Sequence, residues 1–146
     1  MIVRGCSDTG IDIDSDMDGI GDQWELAYAG NLTTFSAAND QDKDGRTDLQ
    51  EYLAFTSPIV VDREFNLEFL SFTHSSGQGQ SQLRWLSKPN RRYDVEQSST
   101  LMVGSWSPSA GSSNLSGTGG LITRTITNPY SGGKLFFRVE AGIGDR

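Results

Sequence analysis

Two stretches of the chain, each twelve residues long, carry acidic side chains at the same five positions. They begin at Asp14 and at Asp40, 26 residues apart, and each has a glycine at its sixth position. Calcium takes six to eight oxygen ligands, and acids at alternate positions of a tightly curled loop converge on one point. The repeat therefore predicts two calcium sites. Their acidic residues are Asp14, Asp16, Asp18, Asp22 and Glu25 in the first loop and Asp40, Asp42, Asp44, Asp48 and Glu51 in the second.

The remaining loop positions fit the same chemistry. The glycines at the sixth position, Gly19 and Gly45, allow a sharp turn because they lack Cβ. The seventh position, Ile20 or Arg46, supplies only its backbone carbonyl, and the closing glutamate offers both carboxylate oxygens. Magnesium fits less well because it prefers a strict octahedron and retained waters.

The simplest alternative is that this acidic region is a solvated or disordered tail. A tail has no reason to repeat five acids and one glycine in the same register, and one such match is weaker evidence than two. The register therefore favours a folded metal-binding unit.

A short helix is predicted after each loop. Trp24, Ala27 and Tyr28 share one helical face in the first, and Leu49, Tyr52 and Leu53 share one in the second. No amphipathic pattern leads into either loop, so the unit is a pair of loop–helix elements. We expect the helices to pack face to face through five apolar residues, Trp24, Leu26, Tyr28, Leu53 and Phe55.

This pair of loops resembles those of dockerins and of thrombospondin type 3 repeats. The likeness rests on Asp-Ser-Asp-Met-Asp-Gly-Ile-Gly-Asp at 14–22 and Asp-Gly-Arg-Thr-Asp-Leu-Gln-Glu-Tyr at 44–52. It departs at the eighth loop position, where Gly21 and Thr47 replace an aliphatic residue. The resemblance implies calcium binding but not the cohesin recognition of dockerins.

The C-terminal part is predicted to be an all-β antiparallel sandwich of immunoglobulin or fibronectin type III kind. Short alternating runs recur between turn signals. The expected inward residues are Phe65, Leu67 and Phe69, then Leu83 and Trp85, then Tyr93 and Val95, and finally Leu135, Phe137 and Val139. The fold class is therefore mixed, a small α calcium-loop module followed by a β-sandwich.

Charge separates the two parts of the chain. Residues 1–62 hold 13 acids and three bases, whereas residues 63–146 hold six acids and nine bases. We predict an N-terminal extension over 1–13, a paired calcium-loop module over 14–58 and the sandwich over 63–146. The net charge of −7 argues against a nucleic-acid partner, and no apolar run is long enough to span a membrane.

The sandwich is similar to a small β-domain found at the C-terminal end of many secreted bacterial proteins. The likeness rests on residues 83–85, 91–98, 104–106 and 135–139. That resemblance implies an extracellular or cell-surface location and no catalysis. We therefore expect a calcium-stabilised structural or adhesive module that is not an enzyme. The alternatives are a carbohydrate-binding module with a polysaccharide partner, for which Trp85, Trp106, Tyr93 and Tyr130 are candidates, and a dockerin-like adaptor of a larger protein.

A neighbouring domain or another copy of the chain is the expected protein partner. The single cysteine, Cys6, cannot form a disulfide within the chain. Met1–Asp8 begins with apolar residues and is predicted to add as a strand to the sheet of a neighbouring copy, which would build a fibre. The alternative is that this segment folds back onto its own sandwich.

Overall fold

The computed structural model describes residues 13–61, 66–130 and 132–143. These residues form two compact units, one before residue 62 and one after residue 65. The predicted extension over 1–13, including Met1–Asp8 and Cys6, lies outside the described residues except for Ile13. Within the described ranges, no helix has the length and apolar character needed to cross a membrane.

Among its described residues, the first unit contains two short helices, and each begins at the ninth residue of an acidic loop. Helix α1 spans Asp22–Tyr28 and helix α2 spans Asp48–Ala54. Helix α2 begins with a capping box, in which the Thr47 hydroxyl accepts from the backbone N–H of Gln50 and the Gln50 side chain accepts from the backbone N–H of Thr47. The N-cap residue of helix α1 is Gly21, which offers no side-chain cap.

An aromatic cluster around Trp24 forms the core of this unit. The Trp24 ring lies 5.2 Å from Phe35 and 5.7 Å from Tyr52, measured between ring centroids. Two of the residues expected to pack between the helices, Leu26 and Phe55, are largely exposed. The core instead recruits Phe35 from the segment between the helices.

Within the described residues, the second unit contains seven strands. They are β1 (Glu68–Ser75), β2 (Gln78–Leu86), β3 (Arg91–Ser98), β4 (Ser107–Pro108), β5 (Leu115–Ser116), β6 (Leu121–Pro129) and β7 (Phe136–Ile143). One sheet has the order β1-β2-β6. In the other, β3 pairs with β7 and with the two short strands β4 and β5. Every pairing is antiparallel, and with the two helices this confirms the mixed class with a β-sandwich.

The core between the sheets follows the predicted alternation of the two central strands. Leu83 and Trp85 of β2 and Tyr93 and Val95 of β3 are buried, and Ile126 of β6 completes the cluster. The partly buried side chains of Phe137 and Val139 pack against it, as expected for the last strand. Leu135 lies just before β7 rather than in it.

The prediction for the first strand is only partly correct. Strand β1 begins at Glu68, so Leu67 precedes it, although Leu67 still packs against the core. A bulge lies between Phe69 and Ser71, and every residue of β1 is exposed. Phe65 lies outside the described residues.

We expect Gly117→Ala to destabilise the sandwich, because a Cβ at this position would lie 1.8 Å from the Lys88 carbonyl oxygen. Backbone must move to relieve that contact, at a cost on the order of 1–3 kcal/mol. Gly142→Ala is the matched control, since nothing lies within 4 Å of its Cβ position. Urea denaturation of both variants measures the difference, and equal midpoints would contradict the assigned contact.

Candidate metal centre

The two acidic loops have the same backbone conformation. Their fourth residues, Met17 and Lys43, have positive φ angles of 62° and 63°. Their sixth residues, Gly19 and Gly45, have φ angles of 94° and 98°. A positive φ is uncommon for a residue with a side chain. Because it recurs at the same position in both loops, the sequence repeat corresponds to a repeated turn.

Three aspartates of each loop converge. One carboxylate oxygen from each of Asp14, Asp16 and Asp18 lies within 4.8 Å of the other two, and the same holds for Asp40, Asp42 and Asp44. The sequence predicted this convergence from alternate spacing. Such clusters also occur on protein surfaces without a metal, so the side chains around them decide what they can bind.

Backbone amide groups hold the first and fifth aspartates of each loop in place. The N–H of Gly19 donates to Asp14 at 2.9 Å, and the N–H of Gly45 donates to Asp40 at 3.0 Å. Asp18 and Asp44 each accept from the N–H two residues ahead, also at 2.9 Å. Several carboxylate oxygens are nevertheless buried without a hydrogen bond, namely Asp18 Oδ2, Asp40 Oδ1 and Asp42 Oδ2.

Glu25 and Glu51, which close the loops, are the most unusual residues of the unit. Both side chains are 0% exposed, and none of their four carboxylate oxygens has a hydrogen-bond partner. Burial, followed by repulsion from nearby aspartates, raises the pKa of Glu25 to about 7 and that of Glu51 to about 8. A buried carboxylate without a partner is costly, and a bound cation would supply the missing partner.

The ninth residues of the loops, Asp22 and Asp48, are engaged in hydrogen bonds. Asp22 accepts at 2.7 Å from both the backbone N–H and the hydroxyl of Ser15, and these bonds lower its pKa. Both oxygens of the buried Asp48 accept hydrogen bonds, from the backbone N–H groups of Ser36 and Gln41 and from the side-chain amide of Asn39. These two aspartates brace the loops, and their role as direct ligands stays a prediction.

The seventh residues differ between the loops. The side chain of Ile20 is fully buried, whereas the Arg46 guanidinium contacts the Asp44 carboxylate at 2.6 Å. Arg46 also opposes the rise in the pKa of Glu51. The predicted use of the two backbone carbonyls as ligands is untested.

The side-chain donors that converge in each loop are carboxylate oxygens, with no sulfur or imidazole among them. Hard cations such as calcium prefer this donor set, whereas zinc and copper favour sites with nitrogen or sulfur. The residues present therefore fit a calcium ion, and the orphaned oxygens of Glu25 and Glu51 are the observation on which this fit rests. Sequence reasoning missed the supporting residues Ser15, Ser36 and Asn39, because the spacing rule for a calcium loop specifies the ligands and not the hydrogen-bond donors that hold them.

The sandwich offers less chemistry among its described residues. The aromatic candidates Trp85 and Tyr93 are buried in the core, which removes them as a surface for sugar stacking. The Arg138 guanidinium lies 4.7 Å from the centroid of the Trp106 ring. Tyr130 contacts Phe72 and His74 edge to face. Within the described part of this unit, no three acidic, histidine or cysteine side chains come together as in the two loops.

No protein-family model, curated protein or solved structure matches the chain. The resemblances to dockerin-like loops, thrombospondin type 3 repeats and a secreted β-domain therefore stay predictions.

Without metal, we expect the stability of the first unit to fall as the pH rises from about 5 to about 8. The unfolded chain releases the protons of Glu25 and Glu51 near 4.5, whereas the folded chain retains them to about 7 and about 8. The folded state thus binds more protons in this range, and the free energy of unfolding decreases with pH. Denaturation in the presence of a chelator measures this slope. The double variant Glu25→Gln, Glu51→Gln should flatten it, and an unchanged slope in that variant would contradict the assignment.

Proposed function

We propose that residues 13–61 bind two calcium ions and that calcium stabilises the fold of this unit. Asp14, Asp16 and Asp18 with Glu25 would hold one ion. Asp40, Asp42 and Asp44 with Glu51 would hold the other. The proposal depends on one observation, the four buried glutamate oxygens that have no hydrogen-bond partner.

The role of the metal follows from charge and connectivity. Residues 13–61 contain ten acidic and two basic side chains, a formal charge of −8, which two calcium ions would halve. Each ion would also join the start of a loop to a glutamate in the helix after it. Because the site forms only when loop and helix are in place, binding free energy becomes folding free energy.

The same proposal covers the setting of the whole chain. We infer an extracellular or cell-surface structural or adhesive module without catalytic activity, in which a sandwich of immunoglobulin or fibronectin type III kind follows the calcium unit. Extracellular calcium modules work at dissociation constants of about 10⁻⁴–10⁻³ M, which suits sites of this composition. The resemblance of the sandwich to a small β-domain of secreted bacterial proteins supports this setting.

Calorimetric titration with calcium tests the binding. The wild-type chain should bind two ions, and Glu25→Gln and Glu51→Gln should each remove one site or weaken it by at least about tenfold, since each deletes a charged ligand. Glu140→Gln is the matched control, because Glu140 is an exposed acid of the sandwich. Fewer than two sites in the wild type, or two unchanged sites in both loop variants, would overturn the proposal.

Hydrogen exchange with and without a chelator tests the structural role. Chelation should raise exchange in helices α1 and α2 and leave β2 and β3 protected, because only the first unit holds the predicted sites. At about 100 times the dissociation constant, each ion adds ~2.7 kcal/mol to the stability of the unit. Equal protection of the helices in both conditions would show that calcium is not structural.

A further inference from the structure

Strand β7 has an open edge. In the described part of the chain it pairs with β3 alone. The backbone N–H of Val95 donates to Ser112, and the carbonyl of Val95 accepts from Ser109, so both groups of Val95 point away from β7. In an antiparallel ladder, the residue of β7 that lies opposite Val95 then points its own N–H and C=O away from β3. That residue is Val139, so the backbone of β7 is ready to pair with a further strand.

Strand β1 has an uncovered aromatic face. Phe72 lies opposite Ser81 and Phe69 opposite Leu83, and both partners are buried residues of β2. Residues opposite each other in a ladder share one face of the sheet, so the two phenylalanines point toward the inside of the sandwich. They are nevertheless 59% exposed at Phe69 and 42% exposed at Phe72.

These two features lie on the same side of the sandwich. The four residues 117–120 connect β5 of one sheet to β6 of the other. Along the way the N–H of Gly117 donates to the Arg91 carbonyl in β3, and the Gly120 carbonyl accepts from Ser87 after β2. So short a connection places the β5 and β6 edges together. The opposite edges, β7 and β1, therefore share the other side.

One added strand would satisfy both features. Paired with the edge of β7, it would extend that sheet beneath β1 and cover the inward phenylalanines. Inward-facing apolar side chains of β7, including Val139, would then have a neighbour on their open side. Exposed edges and large apolar patches of this kind are typical of strand addition.

We propose that residues 1–12 of a second copy of this chain supply that strand. Outside the described ranges, the other segments have one to four residues, too few to pair along the eight residues of β7. Residues 1–12 are long enough and include Met1, Ile2, Val3 and Cys6. The exposed phenylalanines of β1 are the surface that this strand would cover. This inference concerns the sandwich and goes beyond the calcium function.

Such a contact is heterologous, since one copy contributes its N-terminal segment and the other its sandwich. Repeated contacts of this type form a ring if the rotation closes and a filament if it does not. The proposal therefore predicts association that can continue beyond a dimer.

Binding of a labelled peptide tests directly whether the edge of β7 accepts this strand. The peptide has the sequence of residues 1–12, and its target is the chain lacking those residues. We expect one peptide to bind per chain, with at least tenfold weaker binding to Phe72→Lys, because a charge would enter the covered face. Thr73→Lys is the matched control, since Thr73 lies opposite the exposed Gln80 on the other face of β1. Phe69→Lys replaces Phe72→Lys if the latter does not fold.

Sedimentation of the full chain in millimolar calcium tests the second copy. We expect concentration-dependent association that deletion of residues 1–12 abolishes and that Thr73→Lys leaves unchanged. Association that survives the deletion would overturn the proposal, as would equal effects of the two lysine variants on peptide binding. The full chain could also stay monomeric while its deletion variant binds the peptide. That result would show that the chain's own segment occupies the edge of β7, and it would overturn the role of a second copy. If any of these results is found while the chain still binds calcium, only the strand proposal is overturned and the proposed calcium function is unaffected.

Discussion

The first unit depends on gathering carboxylates that repel one another. Glu25 and Glu51 are buried beside aspartates of their own loops, and no hydrogen bond offsets the loss of water from their oxygens. Hydrophobic burial around Trp24 is small in extent, so it has little surplus with which to oppose that repulsion. A divalent cation in each loop would change the dominant electrostatic energy of the unit from repulsion to attraction.

The sandwich is stabilised by a different interaction. Its core is a conventional apolar cluster in which Trp85 and Tyr93 lie between the sheets with ring centroids 6.1 Å apart. The Tyr93 hydroxyl accepts from the Lys88 N–H at 2.7 Å and so satisfies its polar end inside the core. No cation is needed for any of these contacts. The two units therefore respond to different solution conditions although they belong to one chain.

Much of this organisation could be predicted from periodicity. Alternate acids predicted the two aspartate clusters, and alternate apolar residues predicted the buried faces of β2 and β3, because both patterns depend on local geometry. The recruitment of Phe35 and the exposure of Leu26 depend on which side chain fills the space beside Trp24, a tertiary outcome that no local pattern encodes. The same limit applies to β1, where alternation indicated a buried strand but, among the described residues, no strand lies beyond β7 to cover it. Hydrogen-bond donors such as Ser15 were missed for a related reason, since their value depends on where the chain returns.

The two loops start from different electrostatic states. The first loop, residues 14–25, has five acids and no base, whereas the second, residues 40–51, has five acids together with Lys43 and Arg46. The Arg46 guanidinium already neutralises part of the second cluster through its contact with Asp44. An incoming cation must compete with that internal counter-charge in the second loop but not in the first. The unit would therefore fill in a fixed order as calcium rises, and a half-loaded form would have its first loop closed and its second held by arginine.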